Sequence, residues 1–409
     1  MAQRNCEEGR ESLNAITDFL YGVLTWINGI VNNYGVSIIV FTILIRLVCL
    51  PFDLKSRKGM RKMALIQPKL NELQKKYAND KEKLQRKQSE LMRKEGYNPL
   101  SGCLPMLLTW PLMIAMFAAM RAIANEQSAM QLFKYLIPGE NVFTAADEFL
   151  WVKNIWVTDS PFNPAAPVIG SAAMSVLDMN AWAKALASLG SDEKILTVIK
   201  ALDLDLSQII SADTMQSLGI TAEMNAAQIA AALQGANINL SAFITADSLK
   251  AAGFSLEMFK SVLNPNGASI MTVARDTLTV YEQDIMPVQG WHDINLLLVH
   301  LALYVNYNGL LIFPVLAGVT QILSTKFNPQ LQEQATGQPN GQQNGMGNFM
   351  KYFFPILSIY FCLSSNAGFA VYWVTSTCIM WVQSVLITKY LESKDKKQAE
   401  TVTGEGSVK

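Results

Sequence analysis

Arg46 is the one strong charge inside residues 36–52 (VSIIVFTILIRLVCLPF), an apolar run otherwise suited to crossing a bilayer. A guanidinium in hydrocarbon is costly and usually turns toward protein or water, so it marks a candidate functional site whose chemistry is attraction of an anion. At ~1.5 Å per helical residue, Arg46 lies about 15 Å from Val36 and about 9 Å from Phe52. Its long side chain therefore either serves such a site or reaches the inner headgroups.

Uncharged polar residues share this setting. Thr42 stands one helical turn before Arg46 on the same face. In the last apolar run Trp373, Ser376 or Thr377, Met380 and Gln383 follow helical spacing, and Gln321 with Ser324 makes a polar end to the third run. Singly, such residues make hydrogen bonds between packed helices; beside an uncompensated cation they outline a wet, half-polar cavity.

Little else in the chain could do chemistry. It has no G-x-x-x-x-G-K-[ST] phosphate loop, and His292 and His300 lack metal-ligand spacing. Inside the apolar runs the only acid or base is Arg46, with Lys351 at the rim of the fourth. The expectation is a protein that is no enzyme and uses no cofactor or metal.

Half of the residues are hydrophobic and 16% are charged, with the apolar residues bunched toward both ends. This describes a membrane protein with a soluble middle. Runs near the ~20 residues needed to span occur at 36–52, 102–120, 309–324, 350–363 and 367–387, and five crossings put the termini on opposite sides. Residues 53–100 hold fourteen Lys or Arg against six Asp or Glu, whereas residues 126–293 hold eight against eighteen. The positive-inside bias places the first stretch and the C-terminus in the cytoplasm, and the acidic middle and the N-terminus outside.

The elements follow from periodicity. Leu13, Ile16, Leu20, Leu24, Ile27 and Val31 recur every three or four residues, an amphipathic helix that lies on the outer membrane surface or packs on protein. In the basic stretch Met63, Ile66, Leu70, Leu73 and Tyr77 precede a turn at Asn79 and Asp80, then Leu84, Gln88 and Leu91 follow. That is a helical hairpin with a bend at Pro68. Its lysines, Lys75, Lys76, Lys81 and Lys83 among them, suit anionic headgroups or ribosomal RNA, or simply a solvated positive-inside loop. A segment repeats at 34 residues: ISADTMQSLGITAEM from 210 returns as ITADSLKAAGFSLEM from 244. Each copy reads as a Ser or Thr cap, a short helix, a Gly stop and another capped helix. The acidic middle has no cysteine, so no disulfide framework holds it. The first residues show neither a signal peptide nor a lipoprotein signal.

The expected fold is an all-α polytopic membrane protein of five transmembrane helices around a hydrophilic groove. An extracytoplasmic amphipathic helix (1–33) leads to a first span (34–52), a cytoplasmic hairpin (53–100) and a second span (101–125). An extracytoplasmic segment (126–307) carries a helical insert at 171–285. Further spans at 308–325, 350–364 and 367–390 are separated by a flexible Gln, Asn and Gly-rich loop (326–349) and followed by a polar, unstructured tail (391–409).

Five features in order carry a resemblance: TILIR ending in Arg46 with LPF after it, the basic hairpin, NPLSGCLPMLLTWPLMIAMF, FLWV at 149–152, and FPVLAGVTQILSTK followed by AGFAVYWVTSTCIMWVQS. Together they resemble the YidC family of membrane protein insertases over roughly residues 34–158 and 308–390. The resemblance implies a positively charged groove open to cytoplasm and lipid and closed outside. It sets Arg46 at the groove arginine, Thr42 at the polar residue one turn earlier, and Trp373 at the aromatic residue that contacts nascent chains. Gln321, Ser376, Met380 and Gln383 are the remaining lining candidates. Implied partners are nascent membrane proteins, the lipid bilayer, the ribosome and the Sec translocon in a bacterial inner membrane, with no small-molecule substrate. The insert after FLWV and the missing lipoprotein signal depart from the family's pattern. The competing reading is a small anion transporter or channel in which Arg46 binds solute.

Overall fold

The computed structural model describes residues 2–96, 100–134, 136–140, 144–161, 178–263, 292–296, 299–303, 308–326 and 343–405. In chain order the described helices are α1 (Ala2–Val31), α2 (Tyr34–Lys76), α3 (Lys81–Lys94), α4 (Leu100–Lys134), α5 (Met179–Ala187), α6 (Asp192–Ala201), α7 (Ala212–Ser217), α8 (Ala226–Gly235), α9 (Ala246–Ala251) and α10 (Leu256–Leu263). Two strands, β1 (His292–Leu296) and β2 (Val299–Leu303), precede α11 (Ile312–Lys326), α12 (Gln343–Ser364) and α13 (Ala367–Glu405). The chain divides into two units, one of Met1–Ala118 with Leu311–Lys409, the other of Ala119–Leu310.

In the first unit α1 shows two apolar faces. Leu20, Leu24 and Ile27 are buried, while Phe19, Trp26 and Ile30 are exposed. The helix therefore packs on α2 and also keeps an apolar stripe free. Asn32 takes a left-handed φ of 51°, which Asn tolerates, and ends α1. Asn33 caps α2, its side chain accepting from the Val36 amide at 3.1 Å.

Helix α2 continues past residue 52, so that the expected span and the first hairpin arm form one 43-residue helix containing Pro51 and Pro68. Each proline removes one backbone donor, and the flanking turns carry the helix across it. Ile66 and Leu70 are buried where α2 meets α3, and Asp80 caps α3 through the Lys83 amide at 3.0 Å. The C-terminal segment is likewise helical to Glu405 rather than unstructured from 391. Once a helix is nucleated, each added residue costs little, and Lys, Glu, Gln and Ala are good helix formers. Of the expected loop 326–349, residues 327–342 lie outside the described residues, while α12 starts at Gln343.

Among the described residues two helices are long and apolar enough to span, Tyr34–Lys55 and Ala367–Leu391, and Ile312–Ser324 and Tyr352–Ser364 are shorter apolar helices. The side chains of residues 101–110 lie outside the described set, although α4 is helical through them. Where α11 meets α12, a Cβ on Gly318 would fall 2.7 Å from Ile359, so glycine sets how closely these helices approach.

The second unit has an aromatic and aliphatic core of Phe133, Trp182, Leu186, Leu196, Leu233, Phe254 and Phe259. Phe133 meets Trp182 and Phe259 edge-on at 5.3 and 5.7 Å. The repeat is wider than its sequence signature. Helix α6, the left-handed residue Asp203, a 3-10 turn at Leu206–Gln208, α7 and Gly219 return 34 positions later as α8, Asn237, Leu240–Phe243, α9 and Gly253. Ser207 donates to Asp205 and Ser241 to Asn239 in the same way, at 2.6 and 2.8 Å through their hydroxyls. After the glycine the copies part. Helix α10 begins at Leu256, three residues past Gly253, whereas α8 begins at Ala226, seven past Gly219. The strands pair antiparallel, His292 opposite Leu303, a short addition to the described helices. The expected insert edges at 171–177 and 264–285 lie outside the described residues.

Candidate functional site

Helices α2 and α13 pack together and bring two sequence candidates into direct contact across 330 positions. The Arg46 guanidinium donates through Nη2 to the Ser376 hydroxyl. Gln383 donates through Nε2 to the Arg46 main-chain carbonyl at 3.3 Å. Arg46 lies five residues before Pro51, whose missing amide leaves the Leu47 carbonyl without its helix donor, one position along from the carbonyl that Gln383 reaches. Tyr372 faces Ser376 and lies in the field of Arg46. The arginine is half-buried, and no carboxylate among the described residues pairs with it. Its side chain thus turns toward another helix rather than along its own to the headgroups.

The other hydroxyls nearby are satisfied locally. Thr42 is buried and donates to the Ile38 carbonyl at 2.6 Å, and Thr377 donates to the Trp373 carbonyl at 2.8 Å. Such bonds within a helix let a polar side chain sit in an apolar setting without a partner from elsewhere. Among the described residues two side-chain atoms are not satisfied: Trp373 Nε1, a donor, and Gln383 Oε1, an acceptor, are buried without partners. Each such group costs about 1–3 kcal/mol in a folded protein. The Trp373 ring is held by Phe361 and Phe369, centroids 6.0 and 5.7 Å away, and Phe369 in turn meets Phe117 edge-on at 5.1 Å.

Met380 is half-buried, one turn from Ser376 and from Gln383 along α13. Gln321, on α11, is half-buried and is not among the side chains bonded to Arg46. Lys75, Lys76, Lys81 and Lys83 are all exposed at the hairpin tip, with Lys76 over the Tyr77 ring at 5.9 Å. On the same hairpin Lys87 and Arg86 pair with Glu90, and the Lys87 hydrogen bond holds that carboxyl below its ordinary range. Tyr372 was missed from sequence; its signal is its place one turn before Ser376.

A second buried polar cluster, in the other unit, was also missed. Asn308 donates to the carbonyls of Asn154, Val157 and Thr158 at 2.8, 3.0 and 3.0 Å and accepts from the Asn154 amide at 2.7 Å. Asn154 pairs with Gln131, Asp159 accepts from the Leu310 amide and the Trp151 indole, and Asp147 accepts from the Trp156 indole. A Cβ on Gly309 would meet Asp159 Oδ1 at 1.9 Å, so only glycine fits there. This cluster clasps the chain after FLWV to residues 308–310. Among the described residues, no group of His, Cys, Asp and Glu is arranged to hold a metal.

A family model described as 60Kd inner membrane protein matches residues 26–233 and 241–396. A relative called membrane protein insertase YidC from Chlorobium limicola is 41% identical over 150 residues, 36% of this chain and 23% of the relative. One of the same name from Fusobacterium nucleatum is 43% identical over 109 residues, 27% of this chain and 53% of the relative. Another, from Anaeromyxobacter dehalogenans, is 36% identical over 156 residues, 38% of this chain and 25% of the relative. The chain thus spans about a quarter to about a half of the length of these relatives. With the family model covering most of its length, the chain belongs to the 60Kd inner membrane protein family, that of the YidC insertases.

Proposed function

We propose that the protein inserts nascent membrane proteins into a bacterial inner membrane through a half-polar groove between α2 and α13, without nucleotide hydrolysis. The observation that carries this reading is Arg46, a cation on a spanning helix, bonded to a neutral hydroxyl and to no carboxylate among the described residues. A polar segment entering hydrocarbon meets a barrier of several kcal/mol, because its groups lose water without gaining partners. Arg46 lowers it by attracting acidic residues of a short translocating segment until the adjoining apolar helix slides into lipid past Trp373 and Met380. Partition of that helix supplies the driving force.

Five crossings are expected, with α4 as the second and α11 and α12 as the short ones. The apolar part Ile312–Ser324 has 13 residues, about 20 Å against a hydrocarbon core of ~30 Å, and so thins the bilayer locally. The aromatic group of Phe361, Phe369 and Trp373 supports an outer closure. Phe354, on α12, is exposed and takes no part in it. The free stripe of α1, with Phe19, Trp26 and Ile30, suits the outer membrane interface, and the exposed hairpin lysines suit the ribosome or anionic lipid. Whether the Sec translocon takes part is a further expectation of the same reading. The anion-transport alternative has no support in the relatives' names.

In proteoliposomes, Arg46→Ala is expected to slow insertion of substrates with acidic translocated segments about tenfold, the scale of one lost charge contact, and of neutral ones far less. Arg46→Lys should be milder. Equal rates for wild type and Arg46→Ala across that series remove the capture role.

A further inference from the structure

Buried polar atoms are nearly always hydrogen-bonded, so the two side-chain atoms among the described residues that are not, Trp373 Nε1 and Gln383 Oε1, call for a partner. They stand ten positions apart on α13 with Ser376, and through it the Arg46 guanidinium, between them. Ten helical residues rise about 15 Å, the span of four to five residues of extended polypeptide at ~3.3 Å each. The two atoms are of opposite kind. The indole nitrogen can only donate, and the amide oxygen only accepts. Gln383 is oriented by its Nε2 bond to the Arg46 carbonyl, which leaves Oε1 uncommitted. Trp373 is fixed between Phe361 and Phe369. An extended segment offers what each lacks, since every non-proline residue carries one carbonyl and one amide hydrogen.

We propose that Trp373 and Gln383 read the main chain of the translocating segment, the indole N–H donating to one of its carbonyls and the Gln383 oxygen accepting one of its amide hydrogens. This rests on the insertase reading and names what the site recognises besides charge. Arg46 favours acidic side chains, whereas the main-chain pair serves any extended segment. Neutral segments, which gain nothing from the cation, depend on the pair most.

The test uses the full chain in proteoliposomes and a single-spanning substrate whose neutral Ser and Gly tail is made in two forms, unmodified and N-methylated over five successive residues. N-methylation keeps the carbonyls and removes the amide hydrogens. Wild type is expected to insert the unmodified tail about fivefold faster, the scale of one lost hydrogen bond. In Gln383→Met that ratio should fall to near unity, whereas mere loss of support for the Arg46 turn would slow both tails alike and keep it. Trp373→Phe should slow both tails while preserving the ratio, and Trp373→Tyr, which restores a donor on an aromatic ring, should recover most of the rate. Equal insertion of the two tails by wild type, a measurement that needs no variant, overturns the proposal. A ratio unchanged in Gln383→Met, or Trp373→Phe at wild-type rate, also overturns it and leaves ordered water as the partner of these atoms. Failure of wild type to insert any substrate strikes the insertase reading instead.

Discussion

Both units bury apolar side chains, but they differ in what they leave at the surface. The unit of Ala119–Leu310 hides large apolar side chains such as Phe133, Leu196 and Phe259, whereas the other unit exposes Val48, Val315, Ile356 and Leu386. They also satisfy buried polar groups differently. In the unit of Ala119–Leu310, Asn154, Asn308 and Asp159 bond across the chain, up to 154 positions apart. In the other unit, Thr42, Ser358 and Thr377 bond four residues back within their own helices. The difference follows from the surroundings. In water the hydrophobic effect collects apolar groups inside. In lipid the exterior is already apolar, and polarity has to be met within the helix or placed where the protein uses it. The bonds of Arg46 with Ser376 and Gln383, and that of Ser37 with Asn28, depart from that local rule.

Three substitutions probe this contrast in detergent-solubilised full chain. Phe133→Ala should have the largest effect, about 3–5 kcal/mol for a large core side chain, read as denaturant unfolding followed by fluorescence of the packed Trp182. Asn308→Ala comes next at about 2–3 kcal/mol, since it leaves several buried groups without partners; hydrogen exchange at the Asn154 amide should rise with it. Val319→Ala, 44% exposed on α11, should be the smallest, within about 0.5 kcal/mol. If Val319→Ala matched Phe133→Ala, the exposed face of α11 would be a packed core and the comparison would break. An Asn308→Ala chain as stable as wild type would show the cross-chain bonds to be dispensable.

What could be read in advance depended on how local the signal was. Run length and the lone Arg46 are written within twenty residues, and so were the capped short helices at Ser211 and Thr245, whose side chains accept from the amides of Thr214 and Ser248. The partnership of Arg46 with Ser376 joins two runs at opposite ends of the chain, so spacing alone could suggest the face of α13 but not the bond. The Asn308 cluster was hidden for the same reason, as asparagines in loops usually mark turns. In the repeat, DLDLS and NINLS share a conformation but few identities, because Asp and Asn both tolerate the left-handed turn and both accept from the following serine. That α2 runs on past 52 and α13 past 391 was not legible, because a change from apolar to charged residues marks where the membrane ends, not where a helix does.

That last point gives α2 a mechanical meaning. One continuous rod carries the guanidinium in its upper half and the exposed Lys75 and Lys76 at its lower end, roughly 45 Å apart at ~1.5 Å per residue. A swing of about 5° about Pro51 would carry the lysine end through about 3 Å, with the arginine close to the pivot and nearly still. Whatever leans on the tip is thus given leeway to jostle, while the charge in the bilayer keeps its place.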